Sequence, residues 1–370
     1  MPVTDTDLRE HRGPKHRSRR PFWGAALIIG FMALVFGTIR SADSVSPEDD
    51  PATRAEAGRG RFATSPSEIP ARGWKDILLR VYRKIWEDRI MVIAAGVTFY
   101  ALLALFPAIA ALVSLYGLFA DPATINSQLD KIASFMPGGA IEVIRDQLNR
   151  VVAQGSGKLG ITFIVGLCFS LWSANAATKT VFDALNIVYR EEEKRGFIKL
   201  NAISLAFTLA GIVFLLLAIV ATVVLPLALN YIGLGSVTAI IVDILRWPIL
   251  LAAVSLVLAV LYRYGPSRAE AQWRWISWGS AFAAIMWLIV SMLFSWYAAE
   301  FGNYNKTYGS LGAVIGFMTW IWLSTMVVLI GAELDAEMEH QTVRDSTTGR
   351  PKPLGARGAT MADTVGAAQD

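Results

Sequence analysis

The chain has 370 residues, 54% of them hydrophobic and 17% charged, with a mean hydropathy of +0.45 and a formal net charge of +4. Soluble domains carry about 25% charged residues, so this deficit excludes an ordinary soluble domain and points to a membrane protein. The single cysteine, Cys168, excludes a disulfide within the chain.

Residues 1–21 form a basic tail carrying Arg9, Arg12, Lys15, Arg17, Arg19 and Arg20. Such a tail suits the cytoplasmic face and binds anionic headgroups at about 1 kcal/mol per cation near the surface. The apolar run Phe22–Ile39 follows as an extra N-terminal membrane segment. Basic residues flank it on both sides, so a single crossing leaves one flank misplaced. Three readings stay open: a span, a hairpin or interfacial segment, and a targeting signal opened by the twin arginine of "SRRPFWGAALIIG". No A-x-A cleavage site follows it, which favours an uncleaved segment. Residues 40–72 are rich in Pro, Gly, Ser, Asp, Glu and Arg and read as a disordered linker.

The body, residues 73–340, holds six runs near the roughly 20 apolar residues that a crossing helix needs. They are Met91–Phe119, Leu159–Ala177, Ala202–Asn230, Val237–Tyr262, Ile276–Ala299 and Gly309–Leu334. The predicted fold is therefore all-α, a polytopic membrane helix bundle of six core spans plus the N-terminal segment. Pro107, Pro226 and Pro248 fall in or near spans, where a packing kink is the expected reading; Pro107 alone sits deep enough to be a candidate for a discontinuous helix. In the loop Asp121–Lys158, Ile125, Leu129, Ile132 and Phe135 repeat at helical spacing, as do Ile141, Ile144, Leu148 and Val151, which predicts a helical hairpin. The tail 341–370 reads as disordered.

Lys and Arg set the orientation. Segment Arg40–Arg89 holds ten of them, the loop after the second span five and the loop after the fourth three. The alternate loops hold four over 39 residues, none, and one. Both ends of the six-helix core are thus expected in the cytoplasm.

Beyond the second run, Asn175, Lys179, Asp183, Asn186 and Arg190 step by 4, 4, 3 and 4 and form one helical stripe. Val181, Leu185 and Val188 form another, with Phe182 and Tyr189 beside it. This is an amphipathic continuation of an apolar helix. Its polar stripe is either a solvated elbow or, because ionisable groups inside a membrane are costly and functional, part of an interior path. Lys before Asp at i, i+4 is the weaker orientation for a helical pair, which leaves Lys179 free for an anionic partner.

A second polar cluster, with Glu300, Asn303, Tyr304, Asn305, Lys306 and Tyr308, lies in the loop before the last span. Its Trp and Tyr residues suit an interfacial belt. Gly309, Gly312, Ala313 and Gly316 open the last span at a spacing that suits close helix packing. That span ends in Glu333, Asp335, Glu337 and Glu339, read as a solvated exit, with Glu333 a candidate to pair with a neighbour's Arg or Lys.

Nuclease chemistry finds little here. Metal-assisted hydrolysis needs converging His and carboxylate ligands. His11, His16 and His340 lie outside the spans, and neither H-x-H nor H-E-x-x-H occurs. Cys168 lies buried in an apolar run and no Ser–His pair is evident, so no nucleophile stands out.

Three stretches carry a resemblance: "AAGVTFYALLALFPAIAALVSLYGL" (94–118), "SLWSANAATKTVFDALNIVYREEEKRGFIKLN" (170–201) and "YNKTYGSLGAVIGFMTWIWLSTMVVLIGAELDAEME" (304–339). Together, over about 74–340, the chain resembles the YihY/BrkB family of bacterial inner-membrane proteins. The resemblance implies six helices with both ends cytoplasmic. Members were long labelled ribonuclease BN, a label regarded as mistaken, and others are linked to serum resistance or to movement of lipid A precursors. The family supplies no motif of catalytic residues to carry over.

The expected role is a non-enzymatic transporter or translocator of a lipid or envelope component; a structural envelope protein stays open beside it. Asn175, Lys179, Asp183, Glu300 and Tyr304 are the candidate substrate-binding residues, with no catalytic residue, metal or cofactor. Expected partners are membrane lipids, anionic at the basic tail, with no specific nucleic acid; a homo-oligomer stays open.

Overall fold

A computed structural model describes residue 56 and residues 58–117, 156–220, 236–301 and 310–369. All belong to one compact unit, Glu48–Asp370. The N-terminal segment 22–39, the predicted hairpin within 121–158, Pro226 and Tyr304 lie outside the described residues.

Long apolar runs must satisfy their backbone internally, and in a bilayer the helix is the way to do so even where Val, Ile and Thr are frequent. Among the described residues there are six long helices: α2 (Ile90–Gly117), α3 (Ser156–Val188), α4 (Phe197–Ile219), α5 (Ser236–Tyr264), α6 (Trp273–Phe301) and α7 (Ser310–Glu339). Two more elements frame them, α1 (Ala71–Glu87) and the single turn α8 (Thr360–Asp363). The stretches Phe197–Ala218, Trp247–Tyr264, Trp273–Ala298 and Val314–Glu339 are each long and apolar enough to cross a membrane, and α1 with α2 adds a fifth if that bent pair counts as one span. The protein is an all-helical, polytopic membrane protein. The helices run on through Pro107 and Pro248, so neither proline makes a discontinuous helix.

Helix α7 is the hub. It packs against α1, α2, α3 and α6, while α5 lies on α6 and α4 lies on α3. Helices α6 and α7 cross at close range. A methyl added at Gly331 would meet Ala283 Cβ at 2.5 Å, and one at Gly279 would meet Gly331 O at 2.3 Å. Small residues bring these backbones together in the way the sequence suggested for Gly316, but a methyl at Gly316 would meet nothing within 4 Å. Indole donors stitch the same helices together, Trp287 to Ser324 at 3.0 Å and Trp320 to Ser291 at 3.1 Å. Cys168, read as buried, is exposed on α3, where an apolar run presents its side chains outward.

Among the described residues, full burial is concentrated at one end of the bundle. Phe182, Leu185, Val188, Tyr189, Tyr262, Trp275, Ile276, Leu329 and Met338 are sealed there. The tail, expected to be disordered, is ordered and closes this end. Met361 of α8 enters the buried cluster, Ala362 is buried beside it in the chain, and Ala271 pairs with Thr347 in an isolated antiparallel bridge. The tail has too few apolar residues to fold alone, but here its polar groups are satisfied within the tail and by the segment before α1. Arg357 donates to the carbonyls of Val343, Arg344 and Ala362, and the Thr342 hydroxyl donates to those of Arg61 and Ala63. The linker expectation fails over 58–72 for the same reason: Ile69 is buried, and Arg59 holds both Asp76 oxygens at 2.7 Å.

Candidate functional site

Two polar assemblies stand out among the described residues. The first caps the sealed end of the bundle. Glu333, Asp335, Glu337 and Glu339, read above as a solvated exit, are all fully buried. The solvated reading fails because α1, the α5–α6 loop and the tail wrap the end of α7 and bring donors to it. Asp335 Oδ1 accepts the Gly279 N–H at 2.7 Å. Arg80 donates through Nε to Glu337 Oε2 and through Nη2 to Gln341 Oε1. His340 Nδ1 lies 3.3 Å from Glu337 Oε2.

Glu339 receives Arg268 through both guanidinium nitrogens, at 2.9 and 2.8 Å, and the Ser346 hydroxyl at 2.9 Å. Arg268 also lies over the Tyr189 ring at 4.0 Å. Burial alone would lower the Arg268 pKa, but the Glu339 carboxylate outweighs it and holds the guanidinium above its ordinary value. Glu333 differs from the other three: neither of its carboxyl oxygens has a hydrogen-bond partner. Among the described residues no group of three or more His, Cys, Asp or Glu side chains is placed to hold a metal ion.

The second assembly is a seam between α3 and α4, and it contains the sequence candidates. Lys179 Nζ on α3 donates to Asn201 Oδ1 on α4. One residue back, Thr178 and Thr208 share a hydrogen bond at 2.8 Å. Ser173 Oγ and Asn175 Oδ1 lie buried on the same helix without hydrogen-bond partners. On α4, Ser204 and Thr208 are buried, yet Leu209, Val213, Leu216 and Leu217 of the same helix are exposed. Helix α4 therefore turns Thr208 and the Phe207 ring toward α3 and apolar side chains away from the bundle.

The five candidates do not converge. Asn175 and Lys179 lie one turn apart on α3, and Lys179 alone reaches α4, through Asn201. Asp183 is exposed. Glu300 ends α6 beyond the residues whose side chains are described, and Tyr304 lies outside the described residues. Asn186 and Arg190, the rest of the stripe, turn to structural work. Asn186 accepts the Ser267 N–H at 2.7 Å and donates to Glu193 at 3.2 Å, and Arg190 adopts φ 53° just past the end of α3. Sequence reasoning missed Asn201, Ser204 and Thr208. Their spacing of three and four on an otherwise apolar helix was the available signal.

The loop after α3 carries its own ion pair. Arg195 donates Nε and Nη2 to the two oxygens of Glu193, both at 2.7 Å, and adds its backbone N–H at 2.9 Å. These bonds from Arg195 are the main cause of a Glu193 pKa lowered to about 2.

Comparison with known proteins adds the following. A family model described as Virulence factor BrkB matches residues 81–354. The chain is 29% identical over 247 residues to the ribonuclease-like protein YfkH of Bacillus subtilis (strain 168), covering 66% of this chain and 88% of that protein. It is 25% identical over 283 residues to a UPF0761 membrane protein of Methylibium petroleiphilum, covering 75% of this chain and 66% of that protein. It is also 25% identical over 281 residues to a UPF0761 membrane protein of Tolumonas auensis, covering 74% and 88%. No solved structure matches the chain.

Proposed function

This chain belongs to the virulence factor BrkB family of integral membrane proteins, and from that premise we propose that it is a non-enzymatic translocator of a lipid or other envelope component in the bacterial inner membrane. The observation that carries the reading is the α3–α4 seam. A lipid crossing a bilayer must keep its headgroup among polar groups while its tails stay in hydrocarbon. Helix α4 offers both: Asn201, Ser204 and Thr208 on its inner edge and exposed Leu209, Val213 and Leu216 on its outer one. Lys179 supplies a cation for an anionic headgroup, and the unpartnered Asn175 oxygen, one turn away on the same helix face, accepts from hydroxyl or amine groups.

The Lys and Arg distribution supports an orientation with both ends of the six-helix core in the cytoplasm, which places the sealed polar end there. The basic tail 1–21 then meets anionic headgroups. The ribonuclease-like name of YfkH belongs to that relative. For this chain the one histidine among the described residues, His340, is buried against Glu337 in the structural cap. A structural envelope role is the second reading, favoured by the extent of that cap.

The test is lipid translocation by the purified protein in liposomes, with labelled anionic and zwitterionic lipids and Lys179→Ala beside the wild type. Flipping that falls at least about tenfold in Lys179→Ala, with unchanged thermal stability, supports the reading; tenfold corresponds to about 1.4 kcal/mol at the barrier. Absence of flipping in the wild type overturns it in favour of the structural role. Equal flipping by both removes Lys179 from the path.

A further inference from the structure

Helix α1 carries apolar side chains on both of its faces. The face against the protein buries Ile77 and Val81 and carries charge beside them: Asp76 is fully buried and held by Arg59, and Arg80, 6% exposed, is paired with Glu337. The opposite face carries Leu78 at 56% exposure, Tyr82 at 64% and Trp86 at 58%, with Leu79 beside them. At 100° per residue these four fall within an arc of about 100°. Tyr82 and Trp86 pack edge to face, their ring centroids 6.5 Å apart. In water this arrangement would expose the apolar stripe and bury the charges. It is favourable where the outer medium is the boundary of a lipid layer, in which Tyr and Trp keep an apolar body in hydrocarbon and a polar tip in the headgroups.

The helix also lies across the direction of its neighbour. At Asp88–Arg89 the chain bends by 59° between α1 and α2, and Arg89 takes φ 52°, the left-handed conformation that ends a helix. The ion pairs of Asp76 and Arg80 fix the roll of α1, so its apolar stripe cannot turn inward. The charges bordering that stripe are mostly positive. Arg72, Lys75 and Arg83 are exposed, while Glu87 is held by Lys84 at 2.7 Å. Arg83 donates to Gln369, a neutral partner.

We propose that α1 lies in the headgroup layer of an anionic leaflet, with Leu78, Tyr82 and Trp86 at the acyl boundary and Arg72, Lys75 and Arg83 on headgroup phosphates. The occupant of this face is the lipid surface, chosen by the match of an apolar stripe and a cationic border to acyl chains and anionic headgroups. The inference needs only a membrane-embedded bundle and stands whether or not the protein translocates anything.

The experiment places an environment-sensitive fluorophore on Leu78→Cys or Tyr82→Cys in a Cys168→Ser background. The labelled protein is reconstituted in phosphatidylcholine vesicles with and without phosphatidylglycerol. Lipids bearing a nitroxide at the headgroup or deep in the chain report depth, and a water-soluble quencher reports exposure. The expected result is quenching by the headgroup nitroxide about twofold stronger than by the deep one, shielding from the aqueous quencher, and a further gain with phosphatidylglycerol that Arg72→Gln/Lys75→Gln/Arg83→Gln abolishes. Ready access of the aqueous quencher at both positions overturns the proposal. So does dominant quenching from the deep nitroxide, which would mean that α1 crosses the bilayer. Lipid quenching that appears only on dilution of the protein would assign the face to a second copy of the chain. Equal quenching with and without phosphatidylglycerol would overturn the anionic preference.

Discussion

Arg268 and Glu339 meet through two hydrogen bonds at 2.9 and 2.8 Å, with neither side chain reaching solvent. Arg268 lies in the α5–α6 loop and Glu339 at the last residue of α7, so the pair ties the loop to the hub helix. Removing one partner strands a buried charge, which costs about 3–5 kcal/mol. Arg268→Ala and Glu339→Ala are each expected to lose that much in detergent unfolding. Arg268→Met/Glu339→Leu together should lose far less than the sum, because no charge is left behind. Additive losses would mean that the pair does not exist as described.

The α6–α7 crossing tolerates no added methyl at its centre. Gly279→Ala would push Cβ against Gly331 O and the Asp335 carboxyl, at 2.3 and 2.4 Å. Overpacking of this kind costs about 1–3 kcal/mol, against a gain of up to about 1 kcal/mol from replacing helical Gly by Ala. A lower unfolding temperature is expected for Gly279→Ala. Gly211→Ala on α4, where a methyl meets nothing within 4 Å, should leave it unchanged or raise it.

Glu193 gives the loop after α3 a defined acid response. Its pKa is depressed from 4.5 to about 2 by the Arg195 bonds. A group lowered on folding stabilises the native state above its unfolded pKa, and that contribution is lost as protons bind. Stability owed to this pair is therefore complete above about pH 4.5 and declines between there and about pH 2. Glu193→Gln should remove that part of the acid slope and lower stability at neutral pH. An unchanged slope in the variant would show that the pair contributes nothing.

The ordered tail makes a direct prediction. Met361 is buried in the main cluster, and Thr360 N–H donates to Glu191 at 2.6 Å. Met361→Ala is expected to cost about 2–5 kcal/mol, the range for a buried methionine. Ending the chain at His340 should destabilise the bundle further, because Arg80 and Asp76 lose Ala367 and Gln369 as partners. A freely solvated tail would leave the unfolding temperature unchanged in both.

The helices were legible because their cause is local. An apolar run of spanning length forms a helix wherever it sits, and the run Val237–Tyr262 became α5, Ser236–Tyr264, with small end shifts. The second run shows the limit. Its apolar part ends near Ala177, yet α3 continues to Val188, because Phe182, Leu185 and Val188 find a core to enter. Half of the candidate seam was legible in the same way. Lys179 stood out as a charge beside lipid, but Asn201 did not, since its meaning lies in a bond to another helix.

Composition and periodicity alone determined that this chain is a helical membrane protein, roughly where its long helices lie and where charge gathers along it. Tertiary structure decided which of those charges meet water. Arg80 and Glu337 are 257 residues apart, and Arg59 and Gln369 310 apart, so no local pattern could reveal that they share a sealed cap. A carboxylate at a helix end reads as solvated by default, because burying it is costly unless a donor comes with it. Here the donors come from α1, the α5–α6 loop and the tail, and only the folded chain brings them to the end of α7.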